Sequence, residues 1–303
     1  MTSPATSAGA RLRTLLRDHE GTGALVAPGC FDALSARLVE EAGFELAHVS
    51  GAAVSAVSLG LPDLGFVGAT DMVQALSRIA AAVSVPLIVD ADAGYGGPLQ
   101  TAHTVRRYEA AGAAGLHIED QVLPKRCGHM AGKAVVPLAE AVARVEAAVE
   151  ARDDIVVIAR TDALSVAGAD ETVRRVAAFA ACGADAVFVE GDLDPATAER
   201  VRTAAADLPL VINASESGTA DPAPASSHAD LGARVVLSPV APLLAAAQAM
   251  RATLRVLRST GSAAGTDRMP WADLTDLLGL AECTSLEERF SAPRPAPSAT
   301  TRS

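Results

Sequence analysis

The chain has 303 residues, of which 50% are hydrophobic and only 3% aromatic, and its formal net charge is −11. A sizeable core can therefore be buried, but it must be built mainly from Ala, Val, Leu and Ile. The acidic balance argues against a nucleic-acid surface, which would need a basic stripe. The acidic net charge does not exclude an anionic substrate, because the charge of the binding pocket itself determines whether an anion can bind.

Cysteine usage and the lack of targeting signals indicate a cytoplasmic protein. Cys30, Cys127, Cys182 and Cys283 form no close pattern, and a chain of this length needs no disulfides, so reduced thiols are expected. The N-terminus has no apolar run typical of a signal peptide. The longest Ala-rich runs are broken by charges, Gly or Pro, so no membrane span is predicted.

Short apolar runs alternate with helical patterns from the beginning of the chain to about residue 245. Eight runs are predicted strands: Ala24–Pro28, Leu46–Ser50, Pro86–Asp90, Gly115–Glu119, Ile155–Arg160, Ala186–Glu190, Pro209–Asn213 and Val235–Ser238. Several intervening helices end in glycine, the usual residue after a helix C-terminus: Gly43, Gly112, Gly183 and Gly232. Eight repeats with strands apolar on both faces predict an α/β fold, a (β/α)₈ TIM-type barrel. A doubly wound open sheet is the alternative, but it normally has fewer strands and a glycine-rich first turn.

The segments outside the barrel have distinct compositions. We predict an N-terminal extension with a helix at 1–20, the barrel at 21–245, C-terminal helices at 246–290 and a disordered tail at 291–303. The C-terminal helices are expected at Ala245–Ser259, Leu274–Leu280 and Ser285–Phe290. The tail is rich in Pro, Ser, Thr and Ala and has few apolar anchors.

Polar residues recur where the predicted strands end. These residues are Ser50, Asp90, Glu119, Arg160, Glu190, Asn213 and Ser238. Turn preference explains the set poorly, because Glu and Arg are poor turn residues. In a barrel, reactive groups collect at the C-terminal ends of the strands, so this rim is the predicted site.

Three carboxylates of the rim suit a hard metal ion. Asp90 and Asp92 are two residues apart, which aims both side chains the same way in an extended chain. With Glu119, and with Asp63 from a nearby loop, they form an oxygen-rich pocket for Mg²⁺ or Mn²⁺. The alternative is that Asp90, Asp92 and Asp63 cap helices or form turns.

Arg160 is a long cation at the end of an apolar strand. A bidentate bond to a substrate carboxylate or phosphate would compensate for that placement. The alternative is an ion pair with Glu119 or Glu190, which is compatible with substrate binding. His48 and His117 are expected to be structural residues of the barrel interior.

The stretch Lys125-Arg126-Cys127-Gly128-His129 places two cations and an imidazole beside a thiol. Such neighbours lower a thiol pKa, so Cys127 is a candidate proton donor near neutral pH. The local residues equally fit a solvated basic loop that contains a cysteine. A structural zinc site is disfavoured, because about four ligands would be needed and no Cys-x-x-Cys partner exists.

Six segments of the chain, taken in order, resemble the isocitrate lyase/phosphoenolpyruvate mutase superfamily in its methylisocitrate lyase-like branch. The resemblance extends from about Pro28 to Phe290. The segments that carry the resemblance are Gly29–Ala36, Ser58–Asp63, Asp90–Gly96, His117–Gln121, Lys125–His129 and Ala159–Ala163. At barrel spacing, this combination is highly specific for the superfamily.

The resemblance implies roles for individual residues. It implies Mg²⁺ near Asp90, Asp92 and Glu119, often held through waters, and substrate contacts from Ser50, Gly51 and Ala52. It places Lys125–His129 on a mobile lid and implies a homotetramer that exchanges C-terminal helices. The residues expected to be catalytic are Cys127, Lys125, His129 and Arg160, and the further substrate-binding residues are Asp63, Gly128, Glu190 and Asn213.

Lyases of this family use such a cysteine to protonate the carbanion left by carbon–carbon cleavage. The resemblance therefore implies a Mg²⁺-dependent lyase acting on a small 2-hydroxy dicarboxylate, of the substituted malate or methylisocitrate type, through an enolate. Phosphorus–carbon chemistry of the phosphoenolpyruvate or carboxyphosphoenolpyruvate mutase type is one alternative. Decarboxylation or hydrolysis of oxaloacetate is another. A non-catalytic member is disfavoured, because the carboxylates, Arg160 and Cys127 are all present.

Two departures from the family pattern bear on the substrate. Met130 follows His129 where methylisocitrate lyases carry an arginine that serves a third carboxylate. This favours a dicarboxylate over a tricarboxylate. The chain also reads Thr219-Ala220-Asp221-Pro222 where many relatives have a Thr-Pro pair, and Ser238 where they have tyrosine. The pocket is expected to differ on that side.

Overall fold

Eight parallel strands close into a barrel in the computed structural model, which describes residues 6–18, 23–128, 130, 132–214 and 223–291. The strands are β1 Leu25–Cys30, β2 Ala47–Val49, β3 Leu87–Asp90, β4 Gly115–Glu119, β5 Val156–Thr161, β6 Ala186–Val189, β7 Leu210–Asn213 and β8 Ala233–Ser238. They pair in chain order, and β8 pairs with β1, with Leu25 opposite Val235. The TIM-type prediction is confirmed, and the open-sheet alternative is wrong.

Helices precede, connect and follow the strands. Up to the eighth strand they are α1 Ala8–Asp18, α2 Ala33–Glu41, α3 Gly51–Val54, α4 Ala69–Ala80, α5 Pro98–Ala110, α6 Leu138–Ala151, α7 Ala163–Ala167, α8 Ala169–Ala181, α9 Pro195–Ala205 and α10 Ala225–Asp230. A π-helical turn, Ser55–Leu59, follows α3. After the barrel come α11 Ala241–Thr260, α12 Trp271–Leu277 and α13 Leu280–Ser291.

The glycines predicted to end helices do so. Gly43, Gly112, Gly183 and Gly232 have φ angles of 83°, 99°, 81° and 88°, in the left-handed region that glycine adopts without a steric cost. Each of them directly follows the C-cap residue of α2, α5, α8 or α10. The chain can therefore reverse at once and enter the next strand.

Helix α1 belongs to the same core as the barrel interior. Leu12 and Leu16 are buried among strand residues such as Ile88 and Phe188. A Cβ atom on Gly115, the first residue of β4, would lie 2.7 Å from Leu12 Cδ2, so glycine is needed for this close approach. Because α1 packs at the N-terminal ends of the strands, the opposite end is left for the polar rim.

The chain divides into two compact units, 1–246 and 247–303. In the second unit, the described residues of α12 and α13 are all exposed or half-buried. Helix exchange between subunits and the proposed domain boundaries remain predictions. Of the predicted tail, only Ser291 lies within the described residues. A search of the described helices for one long and apolar enough to cross a membrane finds none.

Candidate active site

A cavity of about 120 Å³ lies at the C-terminal ends of the strands. The predicted site residues that line it are Ser50, Ala52, Asp63, Asp90, Glu119, Lys125, Cys127, Gly128, Arg160, Glu190 and Asn213. Gly51 lies against this set, since a Cβ atom there would be 2.7 Å from Asp90 Oδ2. Asp92 contacts Lys125, and His129 lies outside the described residues.

Lys125 is buried between two carboxylates. Its Nζ lies 2.6 Å from Asp63 Oδ1 and 2.7 Å from Asp92 Oδ1. Burial alone would lower the pKa of Lys125, but Asp92, Asp90, Glu119 and Asp63 raise it above its usual value, so the side chain stays charged. Asp92 is therefore already partly compensated by a cation of the chain itself.

Arg160 is held by three carboxylates at the end of β5. Its Nε lies 3.0 Å from Asp162 Oδ2, and its Nη2 lies 3.3 Å from Glu119 Oε2 and 3.5 Å from Glu190 Oε2. The guanidinium also lies over the ring of Phe188, 5.0 Å from its centroid. The ion pairs anticipated as an alternative for Arg160 are thus present, and they fix its orientation toward the cavity.

Side-chain and backbone contacts fix Asp90 at the end of β3. Its Oδ1 accepts a hydrogen bond from Asp92 N at 3.0 Å, and Tyr108 donates to its carbonyl at 3.2 Å. The chain then turns sharply, with positive φ angles at Asp92 (46°) and Tyr95 (59°). Non-glycine residues adopt this region at a cost, and such strain clusters at functional sites.

His48 and His117 form a buried pair in the cavity wall. Their Nε2 atoms are 2.9 Å apart, and His117 Nδ1 lies 3.7 Å from Asp90 Oδ1. Burial lowers the pKa of His48 to about 4 and that of His117 to about 3, so both rings are neutral near pH 7. Sequence reasoning treated both as interior structural residues, and it did not foresee that they would meet at the cavity.

The charges at the cavity do not balance. Among the residues that the structure describes here, four buried carboxylates, Asp90, Asp92, Glu119 and Glu190, face two buried cations, Lys125 and Arg160. Burial raises the pKa of Asp92 to about 7 against the opposing effect of Lys125, and it raises the pKa of Glu119 despite Arg160. Burial would also raise the pKa of Asp90, but His117, Lys125 and Arg160 together hold it below its usual value. An additional cation near these groups would correct the deficit.

The carboxylates fit a metal ion only if water completes its coordination. Glu119 Oε1 is buried and has no hydrogen-bond partner among the described residues. In the same part of the chain, no group of three or more His, Cys, Asp or Glu side chains is placed to hold a metal ion alone. Mg²⁺ usually keeps several waters and is bound by one or two carboxylates, so the donor set suits it.

The side chain of Gln121 fixes the backbone just before Cys127. The Gln121 side-chain amide donates to Arg126 O at 2.9 Å and accepts from Arg126 N at 3.0 Å. A Cβ atom on Gly128 would lie 2.6 Å from Glu190 Cδ. Cys127 is half-buried at the cavity edge, while Met130 is exposed and does not line the cavity.

Sequence reasoning missed two charged residues. Asp162 is fully buried and contacts Arg160 through both oxygens, and Lys133 Nζ lies 2.9 Å from Asp162 Oδ1. The signal for Lys133 is its rarity, since Lys125 and Lys133 are the only lysines in the sequence. Residues 215–222, which include the expected departure from the family pattern at Thr219-Ala220-Asp221-Pro222, lie outside the described residues.

The chain is similar to known proteins over most of its length. The chain is 44% identical over 236 residues to a probable 2-methylisocitrate lyase of Corynebacterium glutamicum, covering 77% of this chain and 76% of the relative. It is 34% identical over 289 residues to the 2,3-dimethylmalate lyase of Eubacterium barkeri, covering 94% and 99%. These relatives are named as lyases.

A solved structure gives the same result for the fold. Oxaloacetate acetylhydrolase in complex with 3,3-difluorooxalacetate superposes with a TM-score of 0.87 at 37% identity, covering 96% of this chain and 99% of that one. The family model described as phosphoenolpyruvate phosphomutase matches residues 13–258. All eight strands of the barrel lie within that match, so the chain belongs to the phosphoenolpyruvate mutase/isocitrate lyase superfamily.

Proposed function

We propose that this protein is a Mg²⁺-dependent lyase that breaks a carbon–carbon bond in a small 2-hydroxy dicarboxylate. One observation carries the proposal: the Cys127 thiol, the Arg160 cation and a group of carboxylates line the same small cavity. This set supplies an acid, an anion-binding group and hard oxygen ligands. Relatives named for 2-methylisocitrate and 2,3-dimethylmalate support a substrate of this class.

Asp90 and Glu119, with Asp92 beside them, would hold the metal, partly through water. The bound ion would polarise the substrate oxygens and stabilise charge that develops as an enolate. Lys125 already neutralises part of Asp92, so the metal would rely more on the other two carboxylates. Binding of Mg²⁺ can be measured by calorimetry without turnover.

The chain's own residues would bind the substrate and move a proton. Arg160, oriented by Asp162 and Glu119, would bind the charge of the substrate, and Ser50 with its neighbours Gly51 and Ala52 would contact the carboxylate end of the substrate. As the carbon–carbon bond breaks, the substrate hydroxyl would pass its proton to a carboxylate of the cavity and become the carbonyl of one product. The Cys127 thiol then donates a proton to the carbon that kept the electron pair in the other product.

The size of the substrate follows from the cavity and from residue 130. A cavity of about 120 Å³ is far below the size of typical drug-binding pockets, so only a small acid would fit. Met130 does not line it and offers no charge to a third carboxylate. A dicarboxylate such as a substituted malate is therefore favoured over methylisocitrate.

Cys127→Ser tests the proposed acid. A serine hydroxyl is a much weaker acid than a thiol, so kcat on the substrate found is expected to fall about 10²- to 10⁴-fold. Substrate is first sought with a panel of 2-hydroxy and 2-oxo dicarboxylates with Mg²⁺, scored for release of pyruvate, glyoxylate or carbon dioxide. Mg²⁺ and pyruvate binding, measured by calorimetry, should persist in the variant.

The matched control is Cys182→Ser, which makes the same change at the C-terminus of α8, away from the cavity. It is expected to keep the activity of the unaltered chain. Full activity in Cys127→Ser would remove the proposed proton donor.

Oxaloacetate hydrolysis is the second candidate function. The similarity to oxaloacetate acetylhydrolase, with a TM-score of 0.87, favours it. Release of oxalate and acetate from oxaloacetate, without turnover of any 2-hydroxy dicarboxylate, would support it over the lyase. Phosphorus NMR with phosphoenolpyruvate or phosphonopyruvate tests phosphorus–carbon chemistry, and an unchanged spectrum argues against that alternative.

We further infer that the enzyme works as a homotetramer in the cytoplasm, with a small dicarboxylate as its ligand. The family resemblance supports the tetramer, and the absence of close cysteine patterns supports a reducing compartment.

A further inference from the structure

Lysine occurs at two positions in this chain, and both flank Cys127. All other basic side chains apart from histidine are arginines, which account for 23 of the 25 Lys and Arg residues. Lys125 and Lys133 are also buried, with side chains 4% and 5% exposed. Burial of a lysine is costly unless its ammonium is paired and hydrogen-bonded, so each is expected to have specific partners.

Lys133 joins two parts of the site. Its Nζ donates to the carbonyl of Gly128 at 2.5 Å and to Asp162 Oδ1 at 2.9 Å. Gly128 directly follows Cys127, while Asp162 directly follows β5 and has a fully buried side chain. The ammonium therefore links the segment that carries the thiol to the rim of the barrel.

The rim partner also orients the arginine of the site. Asp162 accepts from Arg160 Nε at 3.0 Å and from Arg160 Nη2 at 3.2 Å. Asp162 itself is held by its backbone N–H, which donates to Asp120 at 3.0 Å. Lys133 thus connects the Cys127 segment to the same carboxylate that fixes the anion-binding group.

A lysine suits this bridge better than an arginine. An ammonium is a compact charge with three rotatable donors, whereas a guanidinium is a planar fork that matches one carboxylate. The two acceptors of Lys133 belong to different segments, a carbonyl and a carboxylate. If Lys133 served only to neutralise the charge of Asp162, its ammonium would not need the second hydrogen bond, to the Gly128 carbonyl.

We propose that Lys133 is a positioning residue that holds Cys127 against the cavity by joining the Gly128 carbonyl to Asp162. The role of Cys127 as the acid rests on the proposed function, but the placement of the segment does not. Loss of the ammonium should leave the barrel folded and let the segment that carries Cys127 leave the rim more often.

The sequence allows a direct test, because a lysine-specific endoprotease can cut the native chain only after Lys125 and Lys133. Lys133→Met and Lys133→Arg both remove one site and leave the Lys125–Arg126 bond. Cleavage of a folded chain follows the population of its open form when opening is fast. The methionine variant loses the charged hydrogen bonds of the ammonium to Gly128 and Asp162. The Lys125–Arg126 bond should therefore be cut about 10- to 100-fold faster in Lys133→Met than the same bond in the unaltered chain.

Lys133→Arg keeps the charge and is expected to be cleaved more slowly than Lys133→Met. If the Lys125–Arg126 bond is cut at the same rate in Lys133→Met as in the unaltered chain, the proposal is overturned.

Cysteine alkylation separates local opening from unfolding. In Lys133→Met, iodoacetamide should modify Cys127 about tenfold faster or more, since a freed segment exposes the thiol. The exposed Cys283 should react at its original rate, and Cys30, which is fully buried, should stay unmodified. Modification of Cys30 in the variant would mean global unfolding and would overturn the proposal, as would an unchanged rate at Cys127.

Turnover gives the third measurement. On the substrate identified for the lyase, Lys133→Met should lower kcat more than it raises KM, because a misplaced acid affects the chemical step. If no substrate is turned over by the unaltered chain, the proposed function fails, yet the cleavage and alkylation results still decide the role of Lys133.

Discussion

At the scale of single residues, Gly128 lies so close to the rim that it leaves no room for a side chain. A Cβ atom on Gly128 would lie 2.6 Å from Glu190 Cδ and 2.8 Å from Arg160 Nη2. Real Cβ atoms do not approach other atoms so closely, so the segment or its partners would have to shift. The glycine is what allows the Cys127 segment to lie directly on two charged residues of the rim.

Gly128→Ala is therefore expected to impair catalysis rather than folding. A displacement of about 1 Å in a catalytic group can cost about 10²-fold in rate, so kcat/KM should fall by roughly that factor. The melting temperature should change little, because the segment lies at the edge of the core. Steady-state kinetics on the identified substrate and thermal unfolding measure the two effects.

Gly97→Ala is the matched control for this prediction. Gly97 has a φ of −81°, and a Cβ atom there would meet its nearest neighbour, Gln100 Oε1, at 3.5 Å, an ordinary contact. It should keep full activity. If Gly128→Ala also keeps full activity, the segment does not need this close approach.

Single residues could be placed from the sequence where a local pattern of apolar and polar residues marks their position. Strand ends can be located from apolar runs, and Asp90, Glu119 and Arg160 lie at such ends. The burial of Asp162 and the partners of Lys133 depend on how residues 121–128 and 132–137 fold back over the rim. No periodicity describes that loop, so those contacts could not be predicted from the sequence.

At the scale of elements, one side chain ties α2 to the turn that precedes β3. Glu40 Oε1 accepts hydrogen bonds from Ser84 N at 2.7 Å and from Ser84 Oγ at 2.5 Å. The Ser84 side chain lowers the pKa of Glu40 more than its partial burial raises it. The pKa of Glu40 is lower in the folded chain than in the unfolded chain. The hydrogen bonds between Glu40 and Ser84 therefore stabilise the fold at pH values above the ordinary pKa of Glu, and this stabilisation is lost as the pH falls.

Glu40→Gln should therefore remove a pH-dependent part of stability. At pH 7 the unaltered chain should melt at a higher temperature than the variant, because the carboxylate accepts more strongly than an amide oxygen. The difference should shrink as the pH falls below about 4.3, the ordinary pKa of Glu, and should be lost once the pH has passed below the lowered pKa of Glu40 in the folded chain. Thermal unfolding of both proteins at several pH values measures it. A difference that stays constant with pH would contradict the assignment.

The order of the elements followed from the sequence, while their bounds shifted by a few residues. All eight strands were predicted, but β1 continues to Cys30 rather than ending at Pro28, because Gly29 and Cys30 pair with β2. Helix α11 begins at Ala241, before the predicted Ala245. Local patterns mark where an element exists, whereas pairing with a neighbour sets where it ends.

At the scale of the whole molecule, the C-terminal helices carry large apolar side chains that are exposed in a single copy of the chain. The exposed fractions of Met250, Leu254, Trp271 and Phe290 are 58%, 63%, 77% and 62%. Several large apolar side chains exposed in one region mark an interaction surface more often than chance exposure does. The family resemblance implies that a second copy of the chain covers them in a homotetramer.

Sedimentation equilibrium tests that assembly. The unaltered chain should sediment with about four times its mass of 30.7 kDa at micromolar concentration. Trp271→Ala removes the most exposed of these apolar side chains and should shift the distribution to smaller species, because a large aromatic anchor often dominates an interface. Leu99→Ala is the control, since Leu99 is equally exposed, at 78%, on a barrel helix. A monomer at every concentration, or a tetramer that tolerates Trp271→Ala as fully as Leu99→Ala, would contradict the proposed role of this surface.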